Sequence, residues 1–310
     1  MGLLKYAVKR ALIAVPVVIL VTVVVFLVQF LAPGDPVAIL LGEFRDSPEV
    51  AAAIRKEWGF DQPVYLQYLR WFRRIISGDF GQSIAFNKVP ISDLLVQTIP
   101  YTLWLNATAL LFALLIAVPA GVISATRQYS AFDHGASLAA FIGISMPDFW
   151  LALMLMIIFG VGLRWFPIAG ADTWKHVVLP ATALGMSQAA ALTRMIRSSI
   201  IEVLRMEYVQ TARAKGLAER AVLVKHAFKN AAIPVVTLFG FRMAFLISGA
   251  VVIEFVFAWP GTGRLVANAL FRRDYFVVQA AVTLSALVIV AANLFIDILY
   301  AYLDPRIRYA

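Results

Sequence analysis

Few residues in this chain have a type and placement suited to chemistry. Five polar groups interrupt otherwise apolar stretches: Asp148, Gln188, Arg242, Glu254 and Asp297. An ionisable side chain in hydrocarbon is costly, so such groups are expected to face a bundle interior or a solute path. Asp148 follows Pro147, which frees backbone carbonyls and kinks a helix, placing the carboxylate to line a cavity. It lies 13 residues beyond Gly135, roughly 20 Å along a straight helix and near mid-membrane. Glu254 is 12 residues past Arg242 on one apolar stretch. That is roughly 18 Å and about 120° round, too far for a direct pair. Two readings stand. Arg242 paired with Asp297 or Asp148 would hold a bundle together. Alternatively, Asp148 and Glu254 would line a path and meet a solute's amines or carboxylates. Glu254 could also brace the turn Trp259-Pro260-Gly261.

Catalytic signatures are missing. There is no Gly-x-x-x-x-Gly-Lys-[Ser/Thr] run to cradle a phosphate, and Pro260-Gly-Thr-Gly-Arg264 reads as a turn at the end of a membrane helix. His134, His176 and His226 fall in separate segments, so no metal cluster is expected. Gly-x-Ser-x-Gly is absent. The absence of cysteine excludes a disulfide scaffold, a thiolate zinc site and a cysteine nucleophile. The chain is therefore expected to be non-catalytic and to carry no cofactor of its own.

The elements that position these residues follow from composition. Of 310 residues, 62% are hydrophobic and 15% charged, with a mean hydropathy of +0.83. Soluble domains carry about a quarter charged residues. The expectation is an all-α membrane protein with six transmembrane helices, at 11–32, 101–125, 135–162, 177–196, 232–257 and 277–303. The fourth is diluted by Pro180, Thr182, Gly185, Ser187 and Gln188. Its small residues, among them Ala181, Ala183 and Ala189, suit either close core packing or an interface with a second membrane subunit. With residues 1–10 and 304–310 inside, the inner segments hold 14 Lys and Arg against five in the short outer loops, which places both termini in the cytoplasm. The first loop, 33–100, has seven basic and eight acidic residues. Leu66, Leu69, Phe72, Ile75 and Ile76 recur there at helical spacing, predicting an amphipathic helix on the outer surface or over the bundle. The transmembrane domain proper is expected to span 95–303.

The loop at 197–231 stands apart. From Arg194 to Lys229 there are eight basic and three acidic residues, five of the chain's net +9 charges. Val203, Met206, Tyr208, Val209, Ala212 and Leu217 alternate with charges in a helical pattern, and Gly216 ends it. A second short helix then leads toward the next span. Charge alone suits a loop that only fixes topology; an apolar-and-charged helix, a glycine break and a second helix suit a docking knob. The charge is placed for a protein partner and not for nucleic acid.

The run Glu207-Tyr-Val-Gln-Thr-Ala-Arg-Ala-Lys-Gly-Leu217, with His226-Ala-Phe-Lys-Asn-Ala-Ala-Ile-Pro234, resembles the EAA loop of ABC importer permeases. It is most similar to the dipeptide/oligopeptide and nickel branch. Leu31-Ala-Pro-Gly-Asp-Pro36, Gly78-Asp-Phe-Gly-Gln-Ser83, Ser145-Met-Pro-Asp-Phe-Trp150, Glu254-Phe-Val-Phe-Ala-Trp-Pro-Gly-Thr-Gly-Arg-Leu265 and Leu303-Asp-Pro-Arg306 extend the likeness over nearly the whole chain, in order. Gln210-Thr211-Ala212 replaces the general Glu-Ala-Ala, and the stretch from Gly216 to Pro234 is longer than in sugar-type permeases; both favour the peptide branch. The resemblance implies a type I permease in a prokaryotic inner membrane, working with a second homologous permease subunit, two ABC ATPase subunits that bind ATP and Mg²⁺, and an extracytoplasmic substrate-binding protein. It places Glu207, Tyr208, Thr211, Ala212, Arg213, Ala214, Lys215, Gly216 and Leu217 against the ATPase and makes a di- or oligopeptide the substrate. Nickel chelate, glutathione or an oligosaccharide would fit the same architecture. A proton-coupled secondary transporter using Asp148 and Asp297 is the rival of another class, and the inverted repeats that would favour it are absent.

Overall fold

A computed structural model describes residues 3–31, 48–58, 60–222, 230–231 and 250–303. Helices dominate these segments. Among the described residues the only extended pairing is an isolated antiparallel bridge between Gln82 and Pro90. The chain divides into two compact units, Met1–Pro100 with Gly261–Ala310, and Tyr101–Pro260.

The first unit is built on α1 (Leu3–Leu31) and the C-terminal helix Tyr275–Leu303. These lie against each other and are apolar all round. Only 11% of either spanning window, Leu4–Val28 or Tyr275–Ile298, is buried. A helix that is apolar on every side yet exposed on most of them is suited to lipid. Between them in sequence come α2 (Pro48–Trp58) and α3 (Val64–Ile76). The expected amphipathic helix is therefore present, but its inward face differs from the one read from spacing. Tyr68 and Trp71 pack on Phe26 of α1, and the Thr22 and Tyr68 hydroxyls lie 3.0 Å apart. Ile75 is buried, whereas Leu66, Leu69 and Ile76 face outward. The aromatic rings remove more apolar area from water than the aliphatic stripe would, and one rotation of the helix cannot bury both. After α3, Arg74 binds Asp79 at 2.8 Å. The Arg74 guanidinium and then the Gly81 N–H hold the Asp79 carboxyl below the usual carboxylate range.

Helix α4 (Ile91–Thr126) has 36 residues, roughly 54 Å at 1.5 Å per residue, longer than the hydrocarbon core requires. Its first residues, Ile91 and Leu95, join the core of the first unit with Leu265, Ala269 and Val277. From Tyr101 onward it belongs to the second unit.

That unit continues with α5 (Ala131–Ser145), α6 (Asp148–Leu155), a π-helical segment Met156–Gly162, and α7 (Val178–Leu204). The expected third span, 135–162, is thus two helices bent by 104° at Met146-Pro147. Proline removes a backbone donor and pushes the preceding residue into extended geometry, which Met146 adopts at ψ 129°. The straight-helix depth assigned to Asp148 does not hold across such a bend. Helix α7 overruns the expected 177–196 by eight residues at its C-terminal end. Its low apolarity has a physical cause: Ala181, Ala183, Gly185, Ala189 and Leu192 are buried by protein. Small residues there admit close approach, and a Cβ on Gly185 would lie 2.7 Å from the Ala109 carbonyl oxygen.

Among the described residues, three helices are long and apolar enough to cross a membrane, or four if the bent pair is one span. Most of the expected fifth span, including Arg242, lies outside the described residues, as do residues 32–47, 223–229 with His226, and the tail 304–310.

Candidate functional site

The segment after α7 forms a compact knob. The pattern from Val203 to Leu217 predicts one helix, but the backbone breaks at Arg205 and Met206, where Met206 is extended at ψ 146°. A short helix α8 (Glu207–Ala214) follows. Its amphipathicity is resolved at two positions. Val209 and Ala212 are buried in a cluster with Ile200 and Val203 of α7 and with Val222. Glu207, Tyr208, Gln210, Thr211, Arg213, Ala214 and Lys215 remain exposed. Gly216 takes φ +76°, a conformation that costs a side-chain-bearing residue about 1–2 kcal/mol. It turns the chain back at exposed Leu217 into α9 (Glu219–Ala221). Arg213 clamps that turn through a 2.7 Å bond to Glu219, and Asn230 donates to the Tyr208 hydroxyl at 2.7 Å. The knob is thus anchored by two small apolar side chains and presents polar groups with Tyr208 and Leu217.

The intramembrane candidates separate. In the second unit, Glu254 of α10 (Val251–Val256) is fully buried. Its carboxylate accepts from Thr102 Oγ1 at 2.8 Å, and its backbone carbonyl accepts from the Trp259 N–H at 2.8 Å. Trp259 is itself held by an indole N–H bond of 3.0 Å to the Tyr101 carbonyl. The backbone of residue 254 thus holds the turn beyond α10, while its carboxylate ties α10 to Thr102. Asp148 begins α6 and is half-buried; Gln188 is buried on α7. Asp297 belongs to the first unit, where it pairs with Arg10 at 3.3 Å. That partner was not among those read from the sequence. The proposed pairs of Arg242 lie outside the described residues.

Two polar networks escaped the sequence reading. Asp133, whose side chain is 2% exposed, takes a bidentate grip from Arg197 at 2.6 and 2.7 Å. Ser130 caps the same helix by accepting from the Asp133 N–H at 3.2 Å. In the first unit, fully buried Asp274 accepts from Ser83 Oγ at 2.5 Å and from the Ala85 N–H at 2.9 Å. A capping residue just before an apolar run was visible in both cases; partners 64 and 191 residues away were not.

Comparison with known proteins decides the class. The family described as binding-protein-dependent transport system inner membrane component matches residues 117–309, and its N-terminal part matches residues 3–106. The chain belongs to this family. It is an inner-membrane permease subunit of an ABC importer, a transport component and not a catalytic one. Its likeness to the peptide branch runs the full length of its relatives. The oligopeptide transport system permease protein AppB of Bacillus subtilis (strain 168) is 40% identical, covering 98% of this permease and 99% of that protein. The glutathione transport system permease protein GsiC of Salmonella typhimurium is 41% identical over 99% of this chain and all of its own length. That of Escherichia coli (strain K12) is 40% identical over the same shares. Among solved structures, a chain of the MetNI methionine ABC transporter superposes with a TM-score of 0.51 at 20% identity, covering 70% of this permease and 95% of that chain. The type I permease fold is shared at that distance.

Proposed function

We propose that this permease forms half of a translocation pathway for di- or oligopeptides delivered by an extracytoplasmic substrate-binding protein. The bundle has six spans with both termini cytoplasmic, and the transmembrane domain occupies 95–303. It pairs with a second, homologous permease subunit and docks on two ATPase subunits that bind ATP and Mg²⁺. Closure of the ATPase pair on ATP moves the knob, and the permeases rock from inward- to outward-facing; hydrolysis resets them.

The observation that carries this reading is the two-sided build of α8. Val209 and Ala212 fix it to the core, while Glu207, Tyr208, Thr211, Arg213, Ala214, Lys215 and Leu217 are exposed on its outer side, where a partner would meet them. A loop whose charges only set topology needs no buried anchor and no clamped glycine turn. Asp148, Gln188, Arg242 and Glu254 are the candidates for the solute path, with Glu254 also bracing its turn. Asp297, bridged to Arg10, holds α1 against the C-terminal helix.

Peptide chemistry is supported by relatives at 40–41% identity, one named as an oligopeptide permease and others as glutathione permeases. Glutathione is the second reading on that ground. Gly216→Pro and Glu207→Lys test the knob. Each is expected to insert normally yet lose co-purification with the ATPase, or to leave ATP hydrolysis uncoupled from uptake in proteoliposomes. Coupled transport at the wild-type rate in both variants would reject the assignment. Uptake by the chain alone, driven by a proton gradient and indifferent to ATP, would reject the importer cycle.

A further inference from the structure

The first unit contains a cavity of about 830 Å³, lined by none of the residues named above for the knob or the solute path. Phe26, Trp71 and Phe276 form its apolar side. Arg70, Arg73 and Arg74 stand on its polar side. Arg74 is engaged by Asp79, whereas Arg70 and Arg73 make no ion pair among the described residues. Gln279, 6% exposed, also lines the cavity, and its amide nitrogen is buried with no hydrogen-bond partner among the described residues. A buried donor left in this way is unfavourable unless something beyond the described residues accepts from it.

The position of the cavity limits what that acceptor is. Phe26 falls in the last turn of the spanning window Leu4–Val28, and Phe276 in the first turn of Tyr275–Ile298. The cavity therefore sits where hydrocarbon gives way to lipid headgroups. Helix α3, which supplies the arginines, turns Tyr65, Leu69 and Ile76 outward at 65%, 55% and 71% exposure. That is the surface of a helix lying in the interface, with apolar residues toward acyl chains and guanidiniums at headgroup depth. Two guanidiniums without an ion pair beside aromatic walls suit an anion that carries an apolar body.

We infer that this cavity binds an anionic phospholipid, its phosphodiester held by Arg70 and Arg73, an oxygen accepting from Gln279 Nε2, and the first acyl carbons resting on Phe26, Trp71 and Phe276. Guanidinium and phosphate match as planar fork and tetrahedral anion. Bound lipid would seat α3 on the junction of α1 and the C-terminal helix. The site depends only on the chain being in a membrane and stands apart from the identity of the transported solute.

Native mass spectrometry of the full-length permease with its co-purifying subunits, titrated with dioleoyl phosphatidylglycerol, dioleoyl phosphatidylcholine or inorganic phosphate, tests it. Phosphatidylglycerol is expected to be retained in preference to phosphatidylcholine, and millimolar inorganic phosphate is expected not to displace it. Retention should fall about thirtyfold in the Arg70→Gln/Arg73→Gln variant, the loss of two basic residues at about 1 kcal/mol each near a lipid surface. Gln279→Leu should lower retention while keeping all charges. Equal retention of the two lipids by the unaltered protein overturns the proposal, and so does displacement by free phosphate. The comparison of lipids on the unaltered protein decides the matter even where a variant fails to fold.

Discussion

Two buried carboxylates show how a single residue takes its role from its partners. Glu254 lies in a span by sequence, but its oxygen is committed to Thr102 and its carbonyl to the turn at Trp259. Glu254→Gln keeps an acceptor for the Thr102 hydroxyl and should leave the thermal midpoint close to that of the unaltered protein. Glu254→Ala removes the acceptor and opens a cavity, and is expected to cost about 2–4 kcal/mol. Thermal unfolding in detergent separates them; reduced uptake by Glu254→Gln at unchanged stability would assign the carboxylate to the path instead. Asp133 is bound bidentately by Arg197, which keeps 29% side-chain exposure. Breaking a fully buried pair costs about 3–5 kcal/mol, so Asp133→Asn should cost somewhat less, about 2–3 kcal/mol. In a double-mutant cycle with Arg197→Gln the two losses should be markedly non-additive.

Among the elements, α7 is the one whose sequence understates its importance. It is the most diluted of the expected spans, because its small residues suit neighbouring helices and not lipid. Gly185→Val should therefore be disruptive: a Cβ there already lies 2.7 Å from the Ala109 carbonyl oxygen, a backbone atom that cannot swing aside. Overpacking of this kind costs about 1–3 kcal/mol, measurable as a lowered thermal midpoint with insertion retained. The proline-induced bend after α5 was legible as a break at Pro147, but its 104° angle was not. The rotation of α3 was likewise hidden, because Tyr68 and Trp71 gain their advantage only from Phe26, more than forty residues away.

For the molecule as a whole, the chain contains no cysteine, so single introduced cysteines report topology without background. Lys5, Lys88 and Lys215 are all exposed. On intact cells a membrane-impermeant maleimide should label Lys88→Cys and spare Lys5→Cys and Lys215→Cys; inverted vesicles should reverse the pattern. Labelling of Lys5→Cys or Lys215→Cys from outside would overturn the proposed orientation. The basic excess is concentrated around the knob, where Arg197 and Arg213 are already held by Asp133 and Glu219.

By itself the sequence determined the membrane class, the helical nature of the chain, the existence of the knob and its glycine break. These depend on local composition, short-range periodicity and capping chemistry, which a window of ten to twenty residues contains. It also carried the ordered motifs that place the chain in its family. Only the tertiary structure decided which face of α3 turns inward, that Glu254 meets Thr102, that Asp297 meets Arg10, and that Asp133 meets Arg197. Each is a choice among partners distant in the chain. Burial and hydrogen-bond geometry settle such a choice once the helices have packed, and no local pattern encodes it.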